Sequence, residues 1–390
     1  MNPVIDVDSH WTFPWEFRLR EGPLRRFAPL LPDEGDQLAF FLAGDMMETL
    51  PPEERPTSHQ LFPMRHQPGL GETHLQERFE VNRTRSDAGA RIAWMDRIGI
   101  DYALVNSGGF PAAYPLIEDM GERKAFLRAS NDLLAEALEG HADRLGAVTY
   151  VDLTDLDWAL AELTRMRRLG SRAFSIRAEP VGGKSLGHPH FDRLWSAITD
   201  LGMVVSVHTG LAPALFGDWG RLGIDASSAH GRGRFMRMAN TQRHQAVELM
   251  LAALLFGGVL ERHPKLSILI AELYVFWLPG LVARFDAMGT SNEVFGDWVG
   301  DMSPGALLNR ALRVSPLIGL GDVEALDVLE IHPDMVVFSS DYPHSEGNAD
   351  PIALYGPRLA QLAPDLCSRF MGSTMVESFA RMGDPLPCKV

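Results

Sequence analysis

The segment VIDVDSH places Asp6, Asp8 and His10 two residues apart. On a regular strand that spacing turns all three side chains to one face. Two further apolar segments end in a group of the same kind. VVSVHTG ends in His208 followed by a threonine and a glycine, and VVFSSDYPH ends in Asp341 with His344 three residues on. Buried carboxylates without partners are costly, so such a set needs a proton or a cation to compensate it. Asp8, His10, His208 and Asp341 supply two imidazoles and two carboxylates. That donor set suits one divalent metal ion, Zn²⁺ first, with Mn²⁺ or Fe²⁺ as alternatives, and leaves open positions for a substrate. A solvated strand face with a turn residue at its end explains the first motif taken alone.

The elements that carry these residues follow a regular order. Apolar runs read as strands at Val4–Ser9, Asp101–Asn106, Leu145–Asp152, Arg172–Arg177, Met203–His208, Leu266–Ala271, Ala311–Ser315 and Met335–Ser340. Segments of helical periodicity separate most of them. Strand and helix alternating eight times predict an α/β fold, a TIM (β/α)8 barrel in one domain spanning 1–390. Two long segments, Trp11 to about Arg85 and Gly210 to about Gln242, follow the first and fifth strands and are expected as insertions. In such a barrel the C-terminal strand ends form the catalytic face, which is where each of the candidate ligands falls.

Other residues on that face are candidates for substrate contact. Arg177 ends the fourth strand, where its guanidinium suits a substrate carboxylate, with a salt bridge to Glu179 as the alternative. Asn106 ends the second strand, His244 opens a helix after the second insertion, His344 follows the Asp341 strand end, and Trp11 follows His10 as part of an aromatic wall. Each has a plainer explanation in turn chemistry, capping or packing.

Composition narrows the classes. Of 390 residues, 46% are hydrophobic and 22% charged, as in a folded soluble domain. The formal charge of −15 argues against nucleic acid and anionic membrane as partners. No apolar run reaches the ~18 residues of a membrane span, and no basic, apolar leader opens the chain, so the cytoplasm is the expected location. The two cysteines form no redox or metal motif. No GxGxxG or Walker-type loop follows a strand, which disfavours a nucleotide-binding role.

The motifs DxDxH, VHTG, ERHPKLSILIAE and FSSDYPH, in this order, resemble the amidohydrolase-2 branch of the amidohydrolase superfamily. NDLLAEALEGHADRLGAV and GGKSLGHPHFDRLW extend the resemblance over nearly the whole chain. The branch includes aminocarboxymuconate-semialdehyde decarboxylase and resorcylate-type aromatic decarboxylases. The resemblance implies a distorted TIM barrel, a metal held by Asp8, His10, His208 and Asp341, a small carboxylate substrate and a homo-oligomer, expected as a dimer. It also aligns Glu272 with a catalytic histidine of the semialdehyde decarboxylases, a departure that puts that particular reaction in doubt. The expected activity is decarboxylation of an aromatic or unsaturated carboxylate, with Asp341, Glu272 and His208 as catalytic groups. The alternatives are a hydrolase or hydratase using metal-activated water, and a barrel without activity.

Overall fold

The computed structural model describes residues 3–11, 24, 26–27, 87–107, 111–209, 215, 219, 222–224, 229–291, 293–294, 296–298, 300–317, 326–343, 348 and 350–387. Seven parallel strands form one curled sheet in sequence order: β1 (Ile5–His10), β2 (Tyr102–Asn106), β3 (Leu145–Tyr150), β4 (Ala173–Ser175), β5 (Val204–His208), β6 (Ile268–Ala271) and β7 (Leu312–Val314). Helices connect successive strands, including Ala88–Ile98, Met120–Ala137, Leu156–Arg168 and Asp192–Leu201. Aspartates start several of them: Asp155 accepts from the Trp158 backbone N–H at 3.0 Å and Asp119 from that of Glu122 at 2.8 Å. The result is a mixed α/β, TIM-like fold, as the alternation predicts.

The eighth expected strand, Met335–Ser340, forms isolated bridges instead of a ladder, Val314 with Val336 and Ser9 with Tyr342. The reason lies in where its N–H groups go. Val337 donates to Val314 at 3.0 Å on the β7 side. On the β1 side, Phe338 donates to the Phe370 carbonyl at 2.9 Å and Ser340 to the Asp6 carboxylate at 2.9 Å. The segment therefore joins β7 to β1 partly through side chains.

The first insertion, Trp11 to Arg85, lies outside the described residues apart from Trp11, Leu24, Arg26 and Phe27. In the second, Ala229–Gln242 is a helix.

Two apolar layers sandwich the sheet. Ile5, Tyr102, Leu104, Val148, Val204 and Leu269 share the inner face with Met375 and Phe379 of the late helix Thr374–Met382. Ala103, Val105, Val205, Val207 and Ile270 face the surrounding helices.

Strand β1 departs from regular alternation. Ile5 pairs with Tyr102 and Asp6 with Ala103, but Ser9 pairs with Val105 and His10 with Asn106. The extra residue between Asp6 and Ser9 is a β-bulge, which reverses the parity of the strand. His10 consequently shares the inner face with Asn106, whereas Asp6 shares the face of Ala103. The sequence expectation that Asp6, Asp8 and His10 point the same way fails for Asp6.

Gly146 on the inner face of β3 allows the Tyr102 phenol to cross it. A Cβ at Gly146 would lie 2.2 Å from the Tyr102 hydroxyl, which is buried. Gly146→Ala is expected to destabilise the fold by about 1–3 kcal/mol, measured as a lower midpoint in urea unfolding. An unchanged midpoint would mean that Tyr102 repacks without cost.

Candidate metal centre

Three strands and the eighth segment deliver five polar side chains to one point. His10 ends β1 on the inner face, and Asp8 joins it through the bulge. His208 ends β5, where regular alternation from Val204 through Ser206 carries it inward. Glu272 follows β6 directly. Alternation along Leu269 and Ala271 would turn Glu272 outward, but its backbone is left-handed, with φ of 56°. Asp341 is left-handed too, with φ of 51°. Such conformations cost on the order of 1 kcal/mol at a non-glycine residue and cluster at functional sites.

The distances are short and mutual. His10 Nε2 lies 3.3 Å from Asp8 Oδ1, 3.2 Å from Glu272 Oε1 and 3.2 Å from Asp341 Oδ1. His208 Nε2 lies 3.1 Å from the same Glu272 oxygen and 3.6 Å from Asp8 Oδ1. The two imidazole rings meet edge to face at 5.0 Å. Ligating atoms of Asp8, His10, His208 and Glu272 all fall within 4.8 Å of one another. All five residues are buried.

This donor set fits a divalent cation. Ligands bound at ~2.1 Å with angles of 90–109° stand about 3.0–3.4 Å apart, which matches most of the contacts. Asp8 Oδ2 and His208 Nε2 are buried and have no aligned hydrogen-bond partner. The His208–Glu272 approach is close but lacks the direction of an N–H···O bond, as expected when both atoms face a shared centre. Asn106 Nδ2 donates to Asp8 Oδ1 at 3.0 Å and fixes that carboxylate. The spatial group thus includes Glu272 beside Asp8, His10 and His208, while Asp341 adjoins it through His10.

The remaining candidates are placed as follows. Arg177 is bound to Glu179 through Nε and Nη2, the latter at 3.0 Å, so the salt-bridge alternative forms. His244 stacks parallel to Trp277 at 6.1 Å and lies 3.3 Å from Glu248, outside the central group. Burial holds its pKa below the usual histidine value. Trp11 packs in the outer layer, its backbone N–H donating to Asn106 at 2.6 Å. His344 lies outside the described residues.

Sequence reasoning passed over three neighbours of this centre. Arg91 is fully buried, donating to the Ser9 hydroxyl at 2.5 Å and the His10 carbonyl at 2.7 Å, with its guanidinium 5.0 Å from the Tyr342 ring. Its one signal is a charge on the apolar face of helix Ala88–Ile98, beside Trp94 and Met95. Arg243 is buried with Nη1 3.4 Å from the Thr209 hydroxyl, one residue past His208. Tyr150, at the inner end of β3, has its pKa pushed up mainly by burial; the charges of Asp8 and Glu272 add to this and that of His10 opposes it.

The comparisons with known proteins agree with this fold. A family model described as Amidohydrolase matches residues 5–374. An amidohydrolase from Mycobacterium avium subsp. paratuberculosis K-10 superposes with a TM-score of 0.67 at 19% identity, covering 97% of this chain and 98% of that one. For 5-carboxyvanillate decarboxylase from Sphingomonas paucimobilis the values are 0.63, 17%, 97% and 99%. For a dihydroxybenzoic acid decarboxylase from Polaromonas sp. JS666, solved with bound manganese and 2-nitroresorcinol, they are 0.62, 16%, 97% and 97%. At such identities the likeness is one of fold.

Protons and a cation compete for this centre. Burial by itself lowers the pKa of His10, but the Asp8 charge and contacts with Asp341, Asp8 and Glu272 outweigh it and hold the pKa well above the usual value. His208 is likewise raised, the charges of Glu272 and Asp8 outweighing burial. A histidine raised on folding adds stability that is complete below its unfolded pKa of ~6.5 and is lost as pH climbs through the folded value. A cation must displace these protons, so its affinity rises with pH. The gain in melting temperature on adding Zn²⁺ or Mn²⁺ to chelator-treated protein is expected to be small near about pH 5.5 and to grow toward about pH 8. A gain independent of pH would contradict the assignment.

Proposed function

Because the chain belongs to the amidohydrolase family, we propose that this enzyme is a metal-dependent decarboxylase of a small aromatic or unsaturated carboxylate. Asp8, His10, His208 and Asp341 hold the ion, Glu272 completes the centre, and the Met335–Tyr342 segment completes a (β/α)8 barrel. The observation that carries the reading is the buried convergence of these side chains at strand C-termini. Structural neighbours that are decarboxylases, one of them with bound manganese, support it.

A Zn²⁺ or Mn²⁺ ion here would supply Lewis-acid charge that orients the substrate and stabilises negative charge developing on its oxygens. The protein's own contribution is proton transfer and exclusion of water. Asp341, protonated from a substrate hydroxyl or from solvent, gives its proton to the ring carbon that bears the carboxylate. The bond to the carboxylate then breaks, its electron pair returns to the ring, and CO₂ leaves. Asn106 keeps Asp8 oriented, and His10 fixes the Asp341 oxygen beside it.

A hydrolytic reading is favoured by one observation. Glu272 puts a further carboxylate at the centre, between both imidazoles, where it can accept a proton from an attacking water.

Metal-loaded protein is to be assayed for CO₂ release from 2,6-dihydroxybenzoate and 5-carboxyvanillate, and for hydrolysis of lactones and amides. His208→Ala is expected to lose metal and activity together. Asp341→Asn should keep part of its metal but lose several orders of magnitude in kcat, with a smaller effect on KM. A larger kcat loss in Glu272→Gln than in Asp341→Asn would transfer the acid/base role to Glu272 and favour hydrolysis.

A further inference from the structure

We propose that Asp6, the first acidic residue of the DVDSH strand, is a positioning residue that holds Asp341 against His10 by acting through Ser340. The inference rests on the reading above only in giving Asp341 a role at the centre; the clamp itself is a matter of geometry.

Asp6 is fully buried and lies on the opposite face of β1 from His10, so it does not join the central group. Its carboxylate is spent on the neighbouring segment. Oδ1 accepts from the Ser340 backbone N–H at 2.9 Å and from that of Asp8 at 3.3 Å, and Oδ2 accepts from the Ser340 hydroxyl at 2.5 Å. The Ser340 hydroxyl in turn accepts from the Tyr342 N–H at 3.0 Å. Asp341 is therefore bracketed on both sides by groups bound, directly or through one hydroxyl, to Asp6.

The placement matters because of how this edge is built. In a regular parallel pair the Ser340 N–H would donate to a β1 carbonyl. The bulge between Asp6 and Ser9 removes that register, and the Asp6 carboxylate stands in for the missing acceptor. Past it the backbone enters the left-handed region at Asp341, which then donates its N–H to the Asp8 carbonyl at 2.9 Å. A left-handed aspartate persists only when its surroundings over-determine it. Two hydrogen bonds to a buried carboxylate on one side and one to the Asp8 carbonyl on the other do so. Asp6 also touches Asp8 through its N–H, so one carboxylate ties together the backbones that present Asp8 and Asp341.

Substituting Asp6 by Asn keeps one acceptor oxygen but deprives the Ser340 hydroxyl of its acceptor. Ser340→Ala removes the same link from the other side and guards against a folding defect in the first variant. The direct test is the crystal structure of each variant without metal. Asp341 is expected to leave the left-handed region or to withdraw its carboxylate from His10. An Asp341 unmoved in both variants overturns the proposal.

The second measurement is affinity for Co²⁺, by competition with a chromophoric chelator, together with the visible Co²⁺ spectrum. Each variant should weaken binding about tenfold, the range of second-layer substitutions, and the Asp6→Asn/Ser340→Ala pair no more than either alone. In an Asp341→Asn background, Asp6→Asn should have no further effect, whereas a general loss of stability would persist there. A tenfold loss that survives in that background overturns the proposal. Failure of the parent protein to bind Co²⁺ would instead remove the metal reading, and the crystal structures would still decide whether Asp6 positions Asp341.

Discussion

The structure turns on the confinement of three carboxylates and two imidazoles in one buried space. With neutral imidazoles the formal charge of Asp8, Glu272 and Asp341 is −3, and no arrangement of apolar neighbours makes that tolerable. Two protons on His10 and His208 bring the total to −1. One divalent cation with neutral imidazoles brings it to the same value. The centre is thus built to exchange a pair of protons for a metal ion at constant charge, which explains why the raised histidine pKa values and the ligand-like spacing occur together. The surroundings soften the remaining charge with dipoles and one fixed cation. The Asn106 amide bonds Asp8, and the Arg91 guanidinium binds the His10 carbonyl from behind.

Bringing those groups together forces the sheet out of regularity at three places, each at the same end. The bulge in β1 turns Asp8 and His10 inward, and left-handed residues redirect Glu272 and Asp341. Each irregularity removes ladder hydrogen bonds or adds backbone strain of on the order of 1 kcal/mol. Side chains replace what the ladder loses. Asp6 accepts the Ser340 N–H, the Ser9 hydroxyl reaches the Tyr342 carbonyl at 3.3 Å, and Arg91 ties down the end of β1. Trp94 stacks on Tyr342 at 3.9 Å and closes this corner with apolar surface. The opposite end of the sheet, plugged by Met375 and Phe379, carries no comparable irregularity among the described residues. Strain and chemistry share one face.

How much of this was legible in the sequence depended on whether period-2 alternation survived. In VVSVHTG it survives, so a polar residue after a run of valines marks His208 as an inward-facing strand end. Asp8, His10 and Asp341 are legible by residue type and strand-end position rather than by alternation, and the apolar runs locate seven of the eight expected strands. Where alternation breaks, the reading broke with it. The β1 bulge contains no glycine to announce it, so the spacing groups Asp6 with the centre, although it serves the neighbouring segment. Glu272 follows an apolar strand with outward parity, and only the resemblance to a family pointed to it. The eighth segment has the composition of a strand, but its N–H groups are claimed by Phe370 and Asp6. Arg177 shows the opposite limit. A charged residue at the right strand end pairs with the carboxylate two residues on, the alternative the sequence already offers and one that strand position alone does not decide.

Glu272 and Asp341 are both carboxylates beside His10, yet their settings fit them for different work. Glu272 Oε1 sits between two imidazole nitrogens, at 3.2 and 3.1 Å, so protonating that oxygen would disturb its contacts with both rings. Asp341 Oδ1 meets the His10 ring at 3.2 Å from the end of the eighth segment, on a backbone fixed independently through Asp8 and Ser340. A proton carrier must gain and lose charge without moving, and a backbone held by bonds that do not involve its own carboxylate meets that requirement. Under the proposed reaction, Glu272 is then the group that keeps the two imidazoles in register. Asp341 is the one whose protonation state changes during turnover. Under that proposed reaction the Glu272 position need not supply the proton, because Asp341 would deliver it from the other side of the centre.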